Sequence, residues 1–118
     1  MLKTVNGMSH PTRRTVQTIA DKIYEGIVVG EFINPRYLPR ASGKTTALIN
    51  VAMSMTIGVL VSTPEFAKNL RAEFGYPYIF SVRETKEISK SEIEKFVIDE
   101  CVIVPDNFKV SQIIGGFV

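Results

Sequence analysis

Three short apolar runs limit what this chain can fold into. They lie at residues 57–62 (Ile-Gly-Val-Leu-Val-Ser), 78–82 (Tyr-Ile-Phe-Ser-Val) and 96–98 (Phe-Val-Ile). Each is short, and the first and third end in polar residues, as buried strands of a parallel sheet do. Between and before them the period changes. Val16, Ile19, Ala20, Ile23 and Ile27 recur at helical spacing, which predicts a helix over roughly 13–25, with Thr12 as its cap and Gly26 weakening its end. Residues 27–29 either extend that helix or begin a strand. Ala47, Leu48, Val51, Ala52 and Met55 form the apolar face of a second helix over roughly 44–56. Thr63 as cap and Pro64 at the first position open a third, which runs to about Phe74 and stops at Gly75. Ser89 or Ser91 caps a fourth, short helix through Glu94, and a last strand is expected at 112–118. Strands and helices alternating in this way predict an α/β fold, a mainly parallel sheet with flanking helices.

The length of 118 residues suits one domain, residues 1–118, with an irregular segment at 1–11. Net charge is +2, and the positive residues are dispersed: Arg13-Arg14 is the only adjacent basic pair, while Lys86, Lys90 and Lys95 alternate with glutamates. That pattern reads as a solvated helix face and gives little support to a nucleic-acid surface. Cys101 is the only cysteine and His10 the only histidine. An intrachain disulfide is thereby excluded, a histidine-based metal site within one chain is not expected, and a reducing cytoplasm is the expected setting. No apolar run follows Lys3 as in a signal peptide, and none is long enough to span a bilayer, so no membrane is expected.

The chemistry is concentrated at Arg40-Ala41-Ser42-Gly43-Lys44-Thr45-Thr46. The phosphate-binding pattern known as Walker A is G-x-x-x-x-G-K-[ST]. Here the second glycine, the lysine and the hydroxyl match, and Leu38 stands where the first glycine would be. Gly43 lets main-chain N–H groups approach phosphates closely, and the helix that begins there adds a positive dipole end. Lys44 suits the outer phosphates, the Thr45 hydroxyl a Mg²⁺ shell, and Thr46 an inner phosphate. The segment just ahead, Arg36-Tyr37-Leu38-Pro39, is unusual for such a loop, because Pro39 argues against a central strand. A short strand between Gly30 and Leu38 is expected.

About fifty residues on, the apolar run 96–98 ends in Asp99-Glu100, as in a Walker B motif. Asp99 would share Mg²⁺ with Thr45, and Glu100 would orient or deprotonate an attacking water. Arg40 is the best candidate in the chain for positive charge on the developing transition state, with Arg71 and Arg83 as weaker ones.

At these residues the chain resembles the ATPase domain of the large terminase subunit of tailed phages, the DNA-packaging motors. The likeness lies in residues 40–46 and in Val97-Ile98-Asp99-Glu100-Cys101-Val102-Ile103-Val104-Pro105. Helicases share the broader pattern of loop, strands and Asp-Glu. The resemblance runs over most of Arg13 to Phe117 and extends to the ATPase part of those motors, not to their nuclease domain. It implies that Lys44 and Thr45 bind phosphate and Mg²⁺, that Asp99 holds the metal, that Glu100 is the catalytic carboxylate and that Arg40 senses or stabilises the terminal phosphate. A glutamine ahead of the loop contacts adenine in that family, and Gln17 is the counterpart here. Cys101 otherwise reads as a small buried residue.

The expected cofactors are ATP and Mg²⁺. The first expected function is ATP binding and hydrolysis coupled to viral DNA packaging or other DNA work. Its partners would be duplex DNA and further copies of the chain or other motor subunits, in the host cytoplasm. The alternative is a nucleotide-binding regulatory or interaction module with little hydrolysis. A third reading is a nucleic-acid-binding protein with a vestigial loop, in which Tyr76, Tyr78, Phe80 and Arg83 form a stacking surface; those residues read more readily as core and edge. No second motif to hold a phosphate acceptor is evident, which argues against a kinase.

Overall fold

The computed structural model describes residues 13–38, 43–106, 108–109 and 112–118. The expected irregular segment at 1–11 and the Thr12 cap lie outside them. Among the described residues the order of elements is α1 (Arg13–Val29), a 3-10 turn (Pro35–Tyr37), α2 (Lys44–Met55), β1 (Gly58–Val61), α3 (Pro64–Phe74), β2 (Ile79–Ser81), α4 (Thr85–Ser91), β3 (Phe96–Ile98) and β4 (Ile113–Gly116). The protein is an α/β fold with a four-stranded parallel sheet in the order β2-β1-β3-β4.

Sheet and helices follow from the side-chain periods. Val59, Val61, Ile79, Val97 and Phe117 point to one face of the sheet, where they meet Ile19 and Ile23 of α1, Leu48 and Val51 of α2, and Ala67 and Leu70 of α3. Leu60, Phe80, Phe96 and Ile98 point to the other face, against Ile88 of α4, then Ile93, Val102, Val104 and Phe108. Burying each large aliphatic or aromatic side chain contributes about 1.5–3 kcal/mol. The chain steps from β1 outward to β2 and then back past β1 to β3. Right-handed crossovers therefore set α3 and α4 on opposite faces.

The boundaries of α3 come from its ends. Thr63 Oγ1 accepts from the Phe66 amide at 3.1 Å, Pro64 holds the first turn, and Gly75 closes the helix in the left-handed region. The first helix does not end at Gly26. It continues to Val29, and the Gly26 carbonyl accepts from the Glu31 amide at 2.8 Å.

The fourth helix differs from expectation. Ser89 and Ser91 do not open it; it spans Thr85–Ser91, and these serines lie in its last turns. Ser91 Oγ donates to the Ile88 carbonyl at 2.6 Å and accepts from the Ile93 amide at 3.2 Å, which closes the C-terminal end. The entrance is set by Glu84, whose carboxylate accepts from the Ser81 amide at 2.9 Å.

The strand expected between Gly30 and Leu38 is reduced to one parallel bridge between Ile33 and Phe117. The Ile33 amide donates to Gly116 O at 2.8 Å, and the Val118 amide donates to Ile33 O at 2.9 Å. Asn34 then caps the 3-10 turn, and Pro35 starts it. No helix among the described residues is long and apolar enough to cross a membrane.

Candidate functional site

All four strands end at the same edge of the sheet, where parallel α/β proteins place their ligands. The N-terminus of α2 arrives at that edge through Gly43, which is left-handed at φ 79° and ψ 33°. A residue with a Cβ would be strained there, so glycine is what allows this entry into the helix. The Gly43 carbonyl accepts the first helical bond, from the Ala47 amide at 2.9 Å. The amides of the first turn have no partner within a helix, so this end suits an anion.

Residues 54 apart in sequence meet here. Thr45 Oγ1 donates to Asp99 Oδ2 at 3.0 Å. Asp99 Oδ1 accepts from the Glu100 amide, also at 3.0 Å. Asp99 follows β3, which is held between β1 and β4, and its own amide donates to Leu60 O at 2.9 Å. The residue is only 5% exposed. Burial pushes its carboxyl above the ordinary carboxylate range. The Glu100 amide and the Thr45 hydroxyl pull it part of the way back, the Glu100 charge adds to the rise, and Lys44 opposes it.

Lys44 Nζ stands 3.5 Å from Glu100 Oε1. Both line an open cleft of about 750 Å³, together with Asn34, Pro35, Arg36, Leu38 and Val118. Volumes of this order hold small-molecule ligands. A second, apolar cleft of about 350 Å³ adjoins Asp99 and is lined by Phe32, Ile98, Cys101, Val104, Ile113 and Phe117, among others.

The structure thus brings Gly43, Lys44, Thr45, Asp99 and Glu100 to one edge, with Thr46 half-buried in the same helical turn. Arg40, Ala41 and Ser42 lie outside the described residues. Gln17 is not brought to this site. Its Nε2 donates to Asp21 Oδ1 at 2.8 Å, and it lines a separate hollow with Asn50 and Ser54. Asn50 is already about 9 Å along α2 from Lys44. Helical spacing alone does not tell which end of α2 the residues of α1 will face.

Three further expectations resolve into structural roles. Arg71 donates to the Ile79 carbonyl at 2.6 Å and pairs with Glu84, so it ties α3 to β2 and the entrance of α4. Tyr76 and Phe80 are buried, Tyr78 is half-buried with its ring edge-on to Tyr76, and only Arg83 of that group is exposed. The three aromatic rings pack into or against the core and do not form a stacking surface with Arg83. Cys101, expected as a small buried residue, is exposed because the chain turns outward there with a positive φ of 64°.

Sequence reasoning passed over Arg36 and Asn34. The signal was present in Asn34-Pro35-Arg36, a capped turn that fixes an arginine a few residues ahead of the loop.

For a divalent ion, the available donors are the Thr45 hydroxyl and the Asp99 carboxylate. These are hard oxygens at one point, and Mg²⁺ commonly takes one or two protein oxygens and keeps its water. The donor set fits. No cluster of three His, Cys, Asp or Glu side chains suited to a metal occurs among the described residues. No protein-family model, no curated protein and no solved structure matches this chain.

Proposed function

We propose that this protein binds a nucleoside triphosphate, ATP by the resemblance in its loop, together with Mg²⁺, and hydrolyses it. One observation carries the reading: the helix-entry lysine and hydroxyl, Lys44 and Thr45, each contact one member of the acidic pair at the end of β3. Two solvated acids at a strand end would not need those partners.

In this reading the first-turn amides of α2 and the Lys44 ammonium receive phosphate oxygens. Thr45 Oγ1 and an Asp99 carboxylate oxygen hold the metal, which when bound supplies neutralising charge on the phosphates. Glu100, the more exposed acid, leaves Lys44 as phosphate arrives and becomes available to accept a proton from water. Coupling of this cycle to DNA, through further copies of the chain or other motor subunits, rests on the resemblance to the packaging motors alone.

A binding module with little hydrolysis is the second reading. Glu100 is held by Lys44, and among the described residues Arg36 is the only arginine that lines the cleft. The two are separated by titrating ATP and measuring phosphate release, with and without duplex DNA, for wild type, Lys44→Ala and Glu100→Gln. Hydrolysis predicts lost binding in K44A and retained binding with no turnover in E100Q. Binding by wild type without turnover, alone or with DNA, would leave the module. Absence of any nucleotide binding would end both.

A further inference from the structure

The cleft beside Lys44 is larger than one phosphate group needs, and among the described residues its ionisable side chains are two cations, Arg36 and Lys44, against one carboxylate, Glu100. Lys44 is engaged by that carboxylate at 3.5 Å. Arg36 makes no ion pair with any acid among the described residues, and its side chain is exposed. An arginine without an acid is ordinary on an open surface. This one is placed with some care by the backbone. Asn34 Oδ1 accepts from the Arg36 amide at 3.0 Å, Pro35 fixes the preceding φ, and the Leu38 amide donates to Pro35 O at 3.0 Å. The turn is itself tied to the sheet one residue earlier, through both main-chain groups of Ile33. Arg36 therefore projects from an anchored turn into the same cleft as the helix-entry lysine.

Resting on the nucleotide reading above, we infer that Arg36 is a second phosphate-binding cation, and that it reads the length of the phosphate chain. The guanidinium is planar and permanently charged and offers paired donors to phosphate oxygens. In this assignment a ligand held at the helix entry by its inner phosphates meets Arg36, on the wall of the same cleft, with its outermost one. The site then prefers a triphosphate to the corresponding diphosphate, and Arg36 contributes to that preference.

The test compares wild type with Arg36→Ala, titrating each with Mg²⁺ and either ADP or a non-hydrolysable ATP analogue, and follows thermal melting of both proteins without ligand. R36A is expected to weaken the triphosphate analogue about tenfold, the scale of one charge-assisted contact, and ADP by much less. Its melting should match wild type, since the side chain is exposed. Equal loss for both ligands, no loss for either, or a lowered melting temperature overturns the assignment. Failure of wild type to bind either ligand would instead overturn the nucleotide reading itself.

Discussion

Thr45 and Asp99 share a 3.0 Å hydrogen bond that joins the entry of α2 to the end of β3. It satisfies one oxygen of a carboxylate that is almost wholly buried. Removing the donor leaves that oxygen without its protein partner, which costs about 2 kcal/mol. Thr45→Ala should lower stability by roughly this much in urea unfolding, and Thr45→Ser should recover most of it. Equal stability of T45A and wild type would show that the bond is not maintained in solution.

The same burial makes Asp99 a source of pH dependence. Its folded carboxyl is raised above the unfolded value of about 3.9, so the folded state holds the proton more tightly. The sign follows: without ligand, stability falls as pH rises from the unfolded value through the raised folded one, and the cost of the buried charge is complete above it. Asp99→Asn removes that charge at nearly constant volume. Its gain in melting temperature over wild type should be larger at pH 7 than at pH 4. A gain that is the same at both values would remove Asp99 as the cause.

Much of the fold was legible because local signals and tertiary packing agreed. Thr63-Pro64 and Gly75 bound α3 wherever it packs, and the apolar run 96–98 could only be a short buried strand. Legibility failed where a residue type serves two ends of an element. Serine caps either terminus, so Ser89 and Ser91 were as plausible at the start of α4 as at its finish. The segment ahead of the loop was harder still. Pro35 denies it a regular strand, and the single bridge at Ile33 depends on a partner, Phe117, far along the chain. For the site, residue types and spacing suggested Lys44, Thr45, Asp99 and Glu100 together. Their contacts depend on where β3 sits in the sheet, which no local pattern states. Gln17 shows the converse: a suitable residue on a correctly read helix, facing elsewhere.

Tyr76 carries its hydroxyl into the core, where it donates to the Ile57 carbonyl at 2.7 Å and lies 3.3 Å from the Ala52 carbonyl. These carbonyls belong to the end of α2 and the approach to β1. Tyr76→Phe keeps the ring and loses the donor, so it should cost about 1–2 kcal/mol and lower the melting temperature by several degrees. The proposed nucleotide binding should be unaffected, because the residue packs at the far end of α2 from Lys44. Calorimetry and a ligand titration on the same sample check both halves.

Gly116 has a φ of 115°, and a Cβ there would stand 2.2 Å from the Ile98 carbonyl oxygen. Neither the conformation nor the distance admits alanine, so β4 would have to leave β3. Gly116→Ala is expected to cost roughly 3 kcal/mol or more. Unchanged stability, measured by chemical denaturation, would mean that β4 does not pair in this register.

On the proposed nucleotide reading, the contact between Lys44 and Glu100 sets an internal rival against an incoming phosphate. Any phosphate that reaches Lys44 exchanges places with a carboxylate already there, so a measured dissociation constant reports a difference between two anions, not the strength of one. On that reading, neutralising the rival should make the lysine a better receptor even as it removes the proposed base, and affinity and turnover would move in opposite directions from a single atom's change.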